Sequence, residues 1–140
     1  MKVNLYKVVL PVSDMDRAET FYLQLLGLSG RRISSEEYHF DCGDVVLCCR
    51  HPDSEAEPSP GSRSLKQVYL AVEDLDAVFK KAKTSGCSAL DQEMRTQPWG
   101  DRSFVAQDPF GNTIVFVDER TRQREISQRI SGGPNQIFTI

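Results

Sequence analysis

The chain has no run of 18 apolar residues, so it offers no segment that would span a bilayer as a helix. Its N-terminus, MKVNLYKVVLPV, lacks the unbroken apolar stretch and small-residue cleavage site of a secretory leader. No membrane partner and a cytoplasmic location are therefore expected. Charge of one sign is also missing: the net charge is only −3, which argues against nucleic acid as the main partner. The four cysteines, Cys42, Cys48, Cys49 and Cys87, contain no C-x-x-C pair, so a zinc ribbon or thioredoxin-like motif is excluded. They read as reduced thiols that pack as small hydrophobes. Histidine is scarce. His39 falls in the middle of a strand-like run and His51 at the start of a linker, and neither belongs to a Ser-His-Asp set. There is no P-loop and no dinucleotide fingerprint; Gly27-Leu28-Ser29-Gly30 ends a helix and does not begin one.

What is present is a repeat. VVLPVSDMD at residues 8–16 matches VYLAVEDLD at residues 68–76 in five of nine positions, at an offset of 60. Each copy reads as a strand followed by a helix. Val8, Leu10 and Val12 alternate on one strand face, as do Val68, Leu70 and Val72. In the first helix Ala18, Phe21, Tyr22, Leu25 and Leu26 form an apolar stripe, with Ser13 as the expected N-cap and Gly27 as the stop. In the second the stripe is Leu75, Val78, Phe79 and Ala82, with Gly86 as the stop. Strand-like pieces follow at 29–35, 37–42 and 44–50, and again at 88–95, 101–107 and 112–118. Turn sequences at Asp41–Asp44 and Asp108–Asn112 supply glycine where positive φ is needed.

The fold class is α+β, with two βαβββ modules. The first occupies residues 1–50 and the second 66–118. Residues 51–65, rich in proline and serine, form a linker over the surface. Residues 119–140 are a polar, helix-compatible segment and tail, suited to packing on the domain or on a second subunit.

The doubled unit, the V-x-D entry to each helix, Phe21-Tyr22 with Leu26-Gly27, and PWGDRSF followed by DPFGN resemble the vicinal oxygen chelate superfamily. This is the glyoxalase, bleomycin-resistance and extradiol-dioxygenase group, and the resemblance is strongest to the bleomycin-resistance type. It covers about residues 3–118. It implies concave mixed sheets forming a cleft, helices outside them, and a homodimer in which clefts can be shared between chains. Metal-using members carry His, Gln or Glu on the cleft face of the first and last strand of each module. Counting from the V-x-D aspartates, and aligning Gly43 with Gly111, puts Lys7, Leu47, Gln67 and Val115 at those places. Leucine and valine have no donor atom, and a lysine ammonium has no lone pair. No metal and no other cofactor are therefore expected.

Strand alternation sorts the faces. Odd positions of the first strand, Lys7 and Val9, are expected to face the cleft. So are Gln67, Tyr69 and Ala71, Val45, Leu47 and Cys49, and Thr113, Val115 and Val117. This is an apolar concavity with a few polar points, the general form of a small-molecule site. Trp99, between Pro98 and Gly100, is either a core anchor at a bend or an aromatic wall at the cleft mouth. Phe104 is a further aromatic candidate. Phe110, in a tight turn, is a candidate for exposure. Arg102 either stacks, clamps a ligand carboxylate, or bridges Asp101 or Asp108.

Two functions from different classes follow. One is a metal-free binding protein that sequesters an aromatic or largely apolar small molecule, with no catalytic residue. The other is a superfamily enzyme: a lyase, isomerase, thiol transferase or dioxygenase. A protein–protein contact role through the C-terminal segment is a third.

Overall fold

In the computed structural model the described residues are 1–52 and 67–122. The linker and most of the C-terminal tail named above lie outside them. The repeat is visible in the fold. Strand β1 (Lys7–Pro11) leads into helix α1 (Met15–Leu26), and β5 (Val68–Val72) leads into α2 (Leu75–Ala82), so both helices begin 60 residues apart. Each V-x-D aspartate caps its helix. Asp14 accepts from the Arg17 N–H at 3.1 Å and Asp74 from the Ala77 N–H at 3.0 Å. The cap of α1 is thus Asp14 and not Ser13, because its carboxylate reaches the first-turn amides and also meets the positive helix end. Gly27 ends α1 in the left-handed region at φ 67°. Helix α2 stops at Ala82, four residues before Gly86, and a run of turns fills the gap.

The remaining strands of the first half are β2 (Gly30–Ser34), β3 (Glu37–Cys42) and β4 (Val45–Arg50). They form a sheet in the order β1-β4-β3-β2, with β1 parallel to β4. The second half has β6 (Ala89–Leu90), β7 (Arg95–Thr96), β8 (Arg102–Gln107) and β9 (Thr113–Asp118). Its order is β5-β9-β8-β6, with β7 also on β8. The single strand expected over 88–95 is broken in two. The Asp91 carboxylate takes the Val105 N–H at 2.9 Å, so the ladder is interrupted before it resumes at Arg95.

Both stripes are buried as expected, and both feed one core. Leu10, Val12, Phe21, Tyr22, Phe40 and Leu47 from the first half are continuous with Leu75, Phe79, Phe104 and Phe116 from the second. The rings of Phe104 and Phe116 stack at 5.0 Å, and Phe79 meets Phe104 edge-on at 4.9 Å. Residues from the helix-bearing faces of both sheets thus belong to one core. Among the described strands, β1 and β5 each close one edge of their sheet.

The link between halves is polar and buried. Asp108 is fully buried. Its Oδ1 accepts from the N–H groups of Phe110 and Asn112, and its Oδ2 accepts from the Tyr22 hydroxyl at 2.8 Å and from Asn112 Nδ2 at 2.9 Å. Asn112 Nδ2 also donates to the Pro11 carbonyl, 101 positions away in sequence. Gly111, at φ 87°, lets the turn close around the carboxylate. Phe110 packs partly buried against the core and is not exposed.

A second buried aspartate, Asp118, accepts from Arg120 and Arg102, and Arg102 also reaches Asp76 at the start of α2 at 2.8 Å. The Arg120 hydrogen bonds, then Arg102, hold the Asp118 carboxyl down at about 2 against burial, which opposes them.

Two outcomes follow. Tyr22→Phe leaves Asp108 Oδ2 short of a donor and should destabilise the fold by about 1–3 kcal/mol, read as a lowered midpoint in urea unfolding. For Asp118 the folded-state pKa lies below the unfolded 3.8, so its contribution is present above about pH 4 and is lost as pH falls toward about 2. The stability gap between wild type and Asp118→Asn should shrink across that window, and a constant gap would contradict the assignment.

Candidate functional site

The pairing registers sort every strand residue onto a face. In the second sheet Tyr69 lies opposite Val115, which lies opposite Val105; Ala71 is opposite Val117, which is opposite Ser103. These residues, with Thr113 and Gln107 in the next row, are on the face away from α2. Tyr69 is 58% exposed, while Val115 and Val117 beside it are buried. Gln67, exposed, precedes β5 at the Thr113 end. At the other end a turn runs from Gln97 to Asp101. The Gln97 N–H donates to the Asp101 carbonyl at 2.7 Å, and Gln97 Nε2 reaches Ser103 Oγ at 3.4 Å. Trp99 is at the tip of this turn, 55% exposed, with its indole N–H donating to Asp101 Oδ2 at 3.0 Å. Gln67, Tyr69, Thr113 and Val115 thus share one side of the second sheet, and the Trp99 turn lies at its far end. Val105 and Ser103 join them, and the alternation of β8 would have supplied both once its phase was known.

In the first sheet Lys7 is opposite Val46, and Val9 is opposite Cys48, on the face away from α1. Lys7 and Val9 are half-buried there, and the Lys7 ammonium lies 5.5 Å from the centre of the Tyr6 ring.

Five expected site residues are elsewhere, Val45 among them on the Leu47 side of β4. Leu47 pairs with Val8 and Cys49 with Leu10, so both point into the helix-side core. The phase error came from equating Gly43 with Gly111. The β3–β4 hairpin closes at Cys42–Val45 and leaves two residues in its turn, whereas β8–β9 closes at Gln107–Thr113 and leaves five. The position matching Val115 is therefore Cys48. Phe104 pairs with Phe116 on the core side and is 1% exposed. Arg102 is committed to Asp76 and Asp118 on the helix side, so it is a structural clamp and not a ligand clamp.

The corrected set at the family's metal-binding places is Lys7, Cys48, Gln67 and Val115. Only the Cys48 thiol and the Gln67 carbonyl have a lone pair to give, and catalytic metals need three or more protein ligands. These residues do not fit the metal of the enzymes, and no step is assigned to one.

Sequence reasoning missed a polar cluster on that same face of the first sheet. Glu37 lies opposite Arg50, and His39 opposite Cys48. His39 Nε2 is 2.6 Å from Glu37 Oε2, and Arg50 Nε donates to Glu37 Oε1 at 2.9 Å. Burial pushes the Glu37 carboxyl up, but the bonds from Arg50 and His39 outweigh it and hold it below its usual range. Burial, and then the Glu37 charge, push the Cys48 thiol up to about 11. The alternation of β3, Glu37-His39-Asp41, carries the signal for this cluster.

A groove of about 720 Å³ runs between the halves along β5. Val8, Leu25 and Leu28 wall one side and Val68, Leu70 and Val78 the other. Of the residues expected at the cleft, Val45, Leu47, Tyr69 and Ala71 border it.

A family profile described as the Glyoxalase/Bleomycin resistance protein/Dioxygenase superfamily matches residues 4–116. No curated protein sequence matches the chain. Solved structures do. TioX from Micromonospora sp. ML1 has a TM-score of 0.69 at 24% identity, covering 84% of this chain and 99% of its own. An integron cassette protein from the mobile metagenome of V. cholerae has 0.66 at 22%, covering 84% and 97%. A lactoylglutathione lyase from Agrobacterium tumefaciens has 0.66 at 20%, covering 84% and 94%. At such identities these likenesses establish the fold, and the profile establishes the lineage without singling out the bleomycin-resistance branch. The chain belongs to the glyoxalase, bleomycin resistance protein and dioxygenase superfamily.

Proposed function

We propose that the protein is a small-molecule-binding member of its superfamily. It holds an aromatic or largely apolar ligand against the Tyr69–Val115–Val105 face, with the Trp99 turn as the wall at one end. The ligand needs no metal at the places the superfamily's enzymes use. The observation that carries this reading is the donor set there: an ammonium, a valine, one amide and one thiol. What remains is an apolar strip with polar points at Gln67, Thr113 and the Tyr69 hydroxyl, which suits a flat ligand with one or two oxygen atoms.

The same geometry supports a homodimer. The helix-bearing faces share one core, so one chain does not turn its two outer faces toward each other. A second copy would complete a cup by bringing its first sheet opposite this chain's second, with Lys7 and Val9 as the facing wall. Edge strands β1 and β5 are the natural meeting places, since exposed sheet edges favour pairing or cover. The four cysteines are unpaired, which supports a reducing, cytoplasmic setting. Among the described residues no helix is long and apolar enough to cross a membrane.

The second reading, a superfamily enzyme, is favoured by one feature: the Glu37, His39 and Cys48 cluster on the first sheet. Turnover would then depend on those residues.

The test is a panel of flat aromatic compounds titrated against the protein and followed by Trp99 emission. Saturable quenching is expected for at least one compound, unchanged after chelator treatment. Tyr69→Ala should weaken it at least tenfold while leaving the far-ultraviolet circular dichroism intact. Trp99→Ala, followed by calorimetry in place of fluorescence, should do the same. Undiminished affinity in both variants would remove this face from the site. Sedimentation equilibrium should return the mass of two chains, and a monomer would refute the shared cup.

A further inference from the structure

Three side chains of different chemistry converge on the face of the first sheet away from α1. Among the described residues one group of metal-capable donors is gathered: Glu37, His39 and Cys48, whose ligand atoms all lie within 4.8 Å of one another. The strands impose this arrangement. His39 and Cys48 are direct cross-strand partners, so their Cβ atoms are neighbours on one face. Glu37 is two residues from His39 and returns to that face by the period of two. Cys48 is fully buried, and the Glu37 and His39 side chains are each 13% exposed.

We propose that Glu37, His39 and Cys48 form a three-ligand site for a soft divalent cation, zinc foremost. Thiolate, imidazole and carboxylate together suit zinc, which accepts all three and takes water or another ligand in a fourth position. The carboxylate is already divided between two tasks. Oε1 is held by Arg50 Nε, and Oε2 faces the His39 nitrogen. Arg50 thereby acts as the outer partner that orients a ligating oxygen. The cation enters where His39 and Glu37 now share a hydrogen bond. A tetrahedral ion with bonds of ~2.0–2.3 Å needs its ligand atoms ~3.3–3.7 Å apart, so the pair must open by under an ångström or so from 2.6 Å. Binding deprotonates the thiol, since a coordinated thiol loses its proton. Cys48 Sγ–H breaks, the sulfur lone pair goes to the cation, and the proton goes to solvent. The site lies within one half, shares only Cys48 with the four family positions, and uses none of Lys7, Gln67 and Val115. Val9 pairs with Cys48, so in the proposed dimer the cluster lies on the wall facing the partner's Tyr69 side, and cation binding within one chain is tested separately from ligand binding.

The test uses the full chain, reduced, stripped with chelator and desalted, and titrated with Co²⁺ as a coloured stand-in for zinc. Expected are the visible bands of a tetrahedral complex and a near-ultraviolet thiolate-to-cobalt band, saturating at one ion per chain and abolished by Zn²⁺. Cys48→Ser should lose the thiolate band. His39→Gln should keep it but bind at least tenfold more weakly, and Arg50→Gln should weaken binding about tenfold through the outer partner. Cys87→Ser should match wild type. No colour at millimolar Co²⁺ would overturn the proposal, as would a thiolate band that survives in Cys48→Ser. Should Cys48→Ser fail to fold, the decision passes to His39→Gln, where unchanged affinity overturns the site.

Discussion

The architecture depends on one buried carboxylate. Asp108 gathers four donors from its own turn and from Tyr22 of the other half, and Asn112 of the same turn ties down the end of β1. A buried carboxylate without such partners would cost several kcal/mol, so the turn can be buried only when the first half is in place. This makes the joint between halves conditional and directional, which apolar packing alone does not do. With the joint set, the helices share a core, and each sheet is left with a face that looks away from it.

The two outer faces have diverged, although the halves are copies of one plan. The second is aliphatic and aromatic through its middle, with Tyr69, Val105, Val115 and Val117. The first carries Glu37, His39, Cys48 and Arg50 in the equivalent region, an ionic cluster. Duplication gives both halves the same backbone. The face that does not support the core is free to change its chemistry, because no cross-half packing constrains it.

The repeat, the buried stripes and the doubled strand–helix plan were legible because each rests on local periodicity; the cap of α1 was not, since Ser13 and Asp14 both offer a side-chain oxygen there. The face of β4 was not. Its phase is set by pairing with β1, which turn glycines do not reveal when one hairpin has a two-residue turn and the other a five-residue loop. Arg102 and Phe104 failed for a related reason. Both faces of β8 mix polar and apolar residues, and a charged Arg102 reads as outward unless its partners, Asp76 from α2 and Asp118 from β9, are already known. His39 was discounted as a lone histidine. Its importance depends on what lies across the strand, and that is long-range information.

The outward orientation of the two sheet faces has a consequence for symmetry. In a twofold dimer, a first face meeting the partner's second face implies the reciprocal meeting as well, so two equivalent cups arise together. Each cup then draws half of its wall from either chain. Two defective chains, one damaged on the first face and the other on the second, would assemble into a mixed pair with one cup wholly sound and the other doubly impaired. In the proposed dimer, genetic complementation between alleles of a single gene would follow from the way the halves are joined.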